Sequence, residues 1–115
     1  MIKTYHDDYF NLSFTVLKEV PYGKAVYLCG SYPNIGSWNP YGALKLKWTE
    51  KHFWHAKIPY RGVRNEVTFQ YKYFISDDIL LSNSEIEWEQ GPNRSIKCKI
   101  DNKFMKIIEV KKIKK

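Results

Sequence analysis

The chain has 115 residues, of which 43% are apolar, a size and composition that suit one domain (1–115) with one buried core. It contains no run of about 18 apolar residues, which excludes a hydrophobic transmembrane helix. The first ten residues carry charged side chains where a signal peptide would have an apolar run, which predicts a cytoplasmic protein. Cys29 and Cys98 both lie in apolar stretches and fit buried thiols, with a single bridge between neighbouring strands as the alternative.

The formal net charge of +7 raises nucleic acid as a partner. Lysine dominates the basic residues, and many of these lysines crowd the stretch 103–115. A protein that reads phosphates usually carries more arginine, because the guanidinium group binds phosphate through two parallel hydrogen bonds. We therefore interpret the lysines as solvated strand faces and a C-terminal tail over 111–115, with the domain core over 12–110.

Short strands and turn residues alternate along the chain, a pattern typical of an all-β sandwich or barrel. The predicted strands are 12–20, 25–29, 43–48, 53–58, 67–75, 85–88, 95–100 and 104–110. Clusters of glycine, proline and asparagine separate them and break the strands. We find no internal repeat and no linker.

The clearest strand is 67–75, in which alternate positions carry large apolar side chains. These are Val67, Phe69, Tyr71, Tyr73 and Ile75. Because side chains of a strand alternate between its faces, this set should face the core and Lys72 should face outward. The segment 104–110 also fits helical spacing, and a basic amphipathic helix can lie on a membrane. Its β-rich composition favours a closing strand, and we expect no membrane partner.

Few residues are candidates for catalysis or metal binding. His52 and His55 are three positions apart beside or in a predicted strand, which directs them to opposite faces rather than to one metal ion. The aspartate doublets at 7–8 and 77–78 are candidate paired carboxylates for a small glycosidase, although solvated turns explain them as well. We therefore predict no catalytic residue, no metal site and no cofactor.

The aromatic content of 17%, with four Trp and nine Tyr, is the unusual feature of the composition. Trp38 lies in a loop rich in Gly and Pro, and Trp88 stands between two glutamates just before a Gly-Pro turn. A glucopyranose ring has an apolar face that packs on an indole, while its hydroxyls need polar neighbours such as Lys72, Glu89 and Asn93. On the sequence alone, both tryptophans fit a core role as well as a ligand platform.

Six short blocks follow one another in order between residues 12 and 100. They are YGxxVYLCGS from Tyr22, IGSWN from Ile35, ALKL from Ala43, FW at Phe53, FQYKY from Phe69 and EWExGPNR from Glu87. Together these blocks resemble the starch-binding domains of carbohydrate-binding module family 20. The resemblance implies an immunoglobulin-like antiparallel β-sandwich of seven or eight strands that binds α-1,4-glucan without catalysing a reaction.

The resemblance also implies two sites for the glucan. The first would use Trp38 and Trp88 as stacking platforms, with Lys72, Glu89 and Asn93 hydrogen-bonding the sugar hydroxyls. The second would use Tyr22 and Trp48, with Trp54 in or behind it. Between Trp48 and Trp54 this chain has a shorter turn than familiar members of the family, and that turn helps to shape the second site.

Modules of this family are attached to amylolytic enzymes, glucan phosphatases and glycerophosphodiesterases, among others. We therefore expect a monomeric module that anchors such an enzyme to starch, glycogen or a similar polymer. The alternative is a basic β domain that binds single-stranded nucleic acid, in which the same rings would stack on bases. Because the sequence lacks RNA-binding aromatic signatures, we expect no nucleic acid partner.

Overall fold

The computed structural model describes residues 8–62, 66–99 and 106–112, and these contain nine strands and three short 3₁₀ turns. The strands are β1 (Asp8–Leu17), β2 (Lys24–Gly30), β3 (Leu44–Lys45), β4 (Lys47–Thr49), β5 (Phe53–Gly62), β6 (Glu66–Asp77), β7 (Glu87–Trp88), β8 (Arg94–Lys99) and β9 (Lys106–Lys112). The 3₁₀ turns are Pro33–Ile35, Pro40–Gly42 and Glu50–His52. Nowhere in the described ranges is there a helix long and apolar enough to cross a membrane.

The strands form two sheets that pack face to face. Sheet A has the order β4-β5-β1-β9, and sheet B has the order β3-β2-β6-β7, with β8 also paired to β6. This arrangement confirms the predicted all-β sandwich. Within the described residues one pair, β1 with β9, is parallel. The sequence did not predict that pairing, because β1 and β9 are joined through the rest of the chain and no hairpin fixes their relative direction.

The core lies between the sheets and follows the two-residue period of the strands. The alternate apolar positions of β6 that were predicted to face inward are all buried. Opposite them, β1 contributes Leu12, Phe14 and Val16, which are also buried. The ring of Phe14 meets the ring of Tyr71 edge-on, with 5.4 Å between centroids and 76° between planes, and so joins the two sheets.

The predicted strand 43–48 is wrong as a single element, because the chain changes sheets in its middle. Leu44–Lys45 pairs with β2 in sheet B, whereas Lys47–Thr49 pairs with β5 in sheet A. Leu46 between them is buried, and its N–H donates to the carbonyl of Val26 at 2.9 Å. The alternation of apolar and polar residues continues through this corner, so the pattern does not reveal it. Because of this split, the described residues contain nine strands where the sequence predicted eight.

The ends of the chain differ in detail from the prediction. The closing segment is a strand, as its composition indicated, and β9 extends through Lys111 and Lys112, which the sequence assigned to the tail. Residues 100–105 and 113–115 lie outside the described residues.

In β2, Cys29 is a free and buried thiol, and burial raises the pKa of that thiol. This agrees with its interpretation as a small core residue.

Candidate functional site

Trp38 lies in the loop between β2 and β3, which backbone hydrogen bonds hold in one shape. The buried side chain of Ile35 anchors the loop, and the N–H of Trp38 donates to the carbonyl of Gly30 at 2.8 Å. Gly36 has a φ of 100°, and a Cβ there would lie 2.6 Å from the carbonyl oxygen of Asn39. Only glycine fits this position, so the loop shape depends on it.

The backbone is also left-handed at two residues that carry side chains. Ser37 has a φ of 47° and Trp38 a φ of 66°. For a bulky residue this conformation is rare and costs on the order of 1–3 kcal/mol, so the surrounding contacts must maintain it. The indole of Trp38 is therefore presented in an orientation that an ordinary loop backbone would not give it.

Trp88 lies in β7, at the opposite edge of sheet B from β3, and its ring reaches the ring of Trp38. It pairs with Phe74 of β6, and the two rings meet edge-on with centroids 4.9 Å apart. The centroids of Trp38 and Trp88 lie 6.4 Å apart, with 54° between the ring planes. Both tryptophans are half-buried, so each packs on the protein with part of its ring and leaves part open. The fold thus brings together two rings that are far apart along the chain.

Lys72 lies on the outer face of β6, as predicted, and holds the loop that follows Trp88. Its ammonium donates to the carbonyl of Gly91 at 2.5 Å and to the carbonyl of Glu89 at 3.3 Å. An ammonium group has three N–H donors, so one remains for a ligand. Lys72 therefore combines a fixed position beside the tryptophans with one open donor.

Glu89 has a different environment from the one expected of a residue at the rim of a site. Its side chain is buried, with 5% exposure, and its Oε1 accepts from the N–H of Tyr73 at 3.1 Å. The same oxygen accepts from Nε of Arg94 at 2.9 Å, and the guanidinium lies over the ring of Tyr73. These contacts assign the carboxylate to positioning the loop of residues 89–94.

Asn93 is exposed and lies close to a residue that sequence reasoning did not name. Its Nδ2 donates to Oε1 of Gln70 at 3.1 Å, and Gln70 is also exposed. Gln70 precedes Lys72 by two positions in β6, so both side chains leave the same face of the strand. The two-residue alternation of the strand could therefore have predicted that Gln70 lies beside Lys72, among the polar groups of the candidate site.

A second group of rings lines an open groove of about 650 Å³ at one end of the sandwich. Tyr22 is fully exposed there, and Trp48 is 52% exposed. Trp54, which pairs with Trp48 across β4 and β5, is only 6% exposed. The indole N–H of Trp54 donates to the carbonyl of Lys18 at 2.8 Å, so this ring forms the back of the groove.

The short turn Glu50–His52 forms one wall of this groove through His52. Lys51 and His52 have φ values of 62° and 63°, so this turn is left-handed at two successive residues. The carbonyl of His52 accepts from the N–H of Lys18 at 2.9 Å, which ties the turn to the end of β1. The turn is thus fixed to β1, and Trp48 beside it is exposed.

Two charged residues that line the groove, Lys24 and Asp78, are in ion pairs. Lys24 binds Asp77 at 2.7 Å, and Lys45 binds Asp78 at 2.6 Å. The hydrogen bond from Lys24 lowers the pKa of Asp77. Each member of this aspartate doublet is therefore held by a lysine, which does not suit an acid and a nucleophile of a glycosidase. Among the described side chains, no group of three or more His, Cys, Asp and Glu is placed to hold a metal ion.

The model of the starch-binding domain family matches residues 9–107. This chain belongs to carbohydrate-binding module family 20. The domain is 30% identical over 83 residues, 72% of this chain, to an α-amylase of Streptomyces violaceus. It is 33% identical over 88 residues, 73% of this chain, to glucoamylase-1 of Arthroderma benhamiae. The match spans 13% of the length of each of these two relatives.

A solved structure shows the same fold. It is the family 20 module of a maltotetraose-forming amylase from Pseudomonas saccharophila STB07, with a TM-score of 0.65 and 17% identity. The similarity covers 90% of this starch-binding domain and 99% of that module. The family match identifies the chain as a starch-binding domain, and the solved structure shows the same fold.

We expect Glu89→Ala to lower the free energy of unfolding by about 3 kcal/mol, because it removes the buried carboxylate that accepts hydrogen bonds from Arg94 and from the N–H of Tyr73. The matched variant is Asn93→Ala, which removes an exposed side chain from the same loop and should change stability by less than about 0.5 kcal/mol. Urea denaturation of both variants measures this difference. A Glu89→Ala domain as stable as the native one would contradict the loop-positioning role of Glu89.

Proposed function

We propose that this starch-binding domain binds α-1,4-linked glucan, with Trp38 and Trp88 as the platforms of a first site. The observation that carries the proposal is the paired placement of two half-buried indoles, 6.4 Å apart and inclined by 54°. Two inclined platforms suit a curved glucan chain, because each indole can pack against the apolar face of a different glucose unit. Lys72 and Asn93 at the rim would bind the hydroxyls.

The rigidity of this surface favours binding of a flexible polymer. The loop of Trp38 is fixed by its hydrogen bonds and by Gly36, and the loop after Trp88 is fixed by Lys72. Side chains that are already ordered lose little entropy when a ligand arrives, so less of the interaction energy is lost. Each Å² of apolar surface that the sugar covers then contributes about 25 cal/mol to the free energy of binding.

We propose a second glucan site in the groove of Tyr22 and Trp48, with Trp54 as its back wall. Support comes from the exposure of both rings, since large exposed apolar side chains that lie together usually mark a binding surface. A glucan strand would pack between Tyr22 and Trp48 at the end of the sandwich. The two sites would then hold a long polymer more tightly than either alone, because the second contact forms at high effective concentration.

We propose further that the domain anchors a catalytic domain to the polymer. The match spans 13% of an α-amylase and of a glucoamylase, which favours an amylolytic enzyme among the attached enzymes that the sequence implied. The nucleic acid alternative has less support. Lys24 and Lys45 are in ion pairs, so these two cations are already neutralised by carboxylates.

Trp38→Ala should remove most of the retention of the domain on insoluble starch, because it deletes one of the two platforms. The measurement is a starch pull-down at matched protein concentration, with urea denaturation as a check that the variant is folded. Lys57→Ala, which removes an exposed side chain from β5 in sheet A, away from both proposed sites, is the control and should be retained like the native domain. A native domain that is not retained on starch would overturn the proposal.

The same pull-down separates glucan from nucleic acid when the salt concentration is varied. Stacking on a neutral polymer releases no condensed counterions, so retention on starch should be nearly the same between about 50 and 200 mM salt. Several lysine contacts to phosphates would instead weaken affinity on the order of a thousandfold over that range. Tight oligonucleotide binding together with loss of starch retention would favour the alternative.

Titration calorimetry with a cyclodextrin should give two ligands per native domain and one for the Tyr22→Ala, Trp48→Ala double variant. The reason is that both substitutions remove open rings of the groove and leave Trp38 and Trp88 intact. Trp38→Ala should also reduce the stoichiometry to one, with the groove occupied. A stoichiometry of one for both the native domain and the double variant would eliminate the second site.

Antibodies against the domain should recover, from the source organism, a polypeptide larger than 13.7 kDa that degrades starch. This follows from the anchoring role, in which the domain and the enzyme share one chain. Mass determination and release of reducing sugar are the two measurements. Recovery of only a 13.7 kDa polypeptide without hydrolytic activity would contradict anchoring and leave glucan binding as a separate result.

A further inference from the structure

The loop that carries Trp38 also carries a third large ring, Tyr41, which the two proposed sites do not use. Tyr41 lies in the 3₁₀ turn Pro40–Gly42 and is 53% exposed. Three positions separate it from Trp38, which limits the distance between their Cα atoms to about 11 Å. A glucan of a few glucose units that lies on Trp38 can therefore reach Tyr41.

Hydrogen bonds hold Tyr41 at its backbone and at the hydroxyl of its ring. Its backbone N–H donates to Oδ1 of Asn39 at 3.0 Å, and its hydroxyl donates to the carbonyl of Ser82 at 3.1 Å. Ser82 belongs to the segment between β6 and β7 that leads to Trp88. Tyr41 thus bridges the loop of one proposed platform and the approach to the other. Its exposure is that of a fixed ring, which loses little entropy on binding.

The segment that Tyr41 contacts through Ser82 also exposes apolar side chains. Five large apolar side chains of the described residues are strongly exposed, and two of them, Tyr22 and Trp48, belong to the groove at the end of the sandwich. The other three are Tyr41, Ile79 and Leu81, and the last two lie in the segment that receives the hydroxyl of Tyr41. Exposed apolar side chains that gather in this way usually mark a binding surface.

We infer that Tyr41 is a third platform, which extends the first site along the same glucan chain beyond Trp38 and Trp88. The inference rests on the proposed function of that site. A neutral, hydroxyl-rich chain suits this place, because the hydrogen-bond partners of Tyr41 are the side-chain amide of Asn39 and the backbone carbonyl of Ser82, and neither carries a charge. The shared rigid loop fixes Tyr41 relative to Trp38, so one ligand can contact both rings.

The test uses the Tyr22→Ala, Trp48→Ala protein, in which only the first site remains, and titrates it with maltose and with maltoheptaose. Tyr41→Ala in this background should weaken maltoheptaose binding about tenfold, equivalent to about 1.4 kcal/mol. Maltose binding should stay unchanged, because maltose is too short to reach beyond the two indoles. Tyr41→Phe keeps the ring and loses the hydrogen bond to Ser82, so it should retain most of the affinity for maltoheptaose.

Three results would overturn the inference. The first is a Tyr41→Ala protein that binds maltoheptaose as tightly as its background, which would leave the tyrosine to another partner such as a protein surface. The second is an equal loss for both sugars, or an equal loss for Tyr41→Phe and Tyr41→Ala, which would indicate disturbance of the loop. The third is a background protein that binds neither sugar, which would also refute the proposed first site, whereas the first two results leave that site intact.

Discussion

The proposed first site is built on one apolar ring, that of Phe74, on the outward face of sheet B. In a two-layer sandwich this face is normally wet, yet Phe74 is only 1% exposed. Tyr27 stacks on one side of it, with centroids 4.9 Å apart, and Trp88 covers it edge-on. Covering such a ring contributes up to about 3 kcal/mol. Trp88 is thereby fixed in place, and Trp38 packs against it in turn.

Backbone strain concentrates at the two candidate sites. Within the described residues, the non-glycine residues with positive φ are Ser37, Trp38, Lys51 and His52. The first two aim an indole of the first site, and the last two form the turn beside the groove. Such conformations persist only where the surroundings over-determine them, and they cluster where a side chain must be presented. The positive φ values thus fall at the same two places as the open aromatic rings, and they are an observation independent of those rings.

How much could be predicted from the sequence depended on the range of the interactions. The alternation in β6 is local, so its buried and outward faces followed from the pattern alone. The corner at Leu46 did not, because alternation looks the same whether or not a strand changes sheets. The proximity of Trp38 and Trp88 was expected only through the family resemblance. The inward orientation of Glu89 depends on its contacts with Arg94 and Tyr73. The sequence of the loop does not predict these contacts, because they form only when the fold brings the three residues together.

The parallel pairing of β1 with β9 determines how the domain can be joined to a neighbour. Leu17 lies opposite Lys112, so the last described residue is next to the end of β1 that leads into the groove of Tyr22. Asp8 is at the far end of β1, about 30 Å away at the usual rise of a strand. An enzyme joined after β9 would therefore emerge beside the groove, and one joined before β1 would emerge at the opposite pole. In the first case a polymer held in the groove would lie near the point of attachment, and in the second it would lie about the length of β1 away from it.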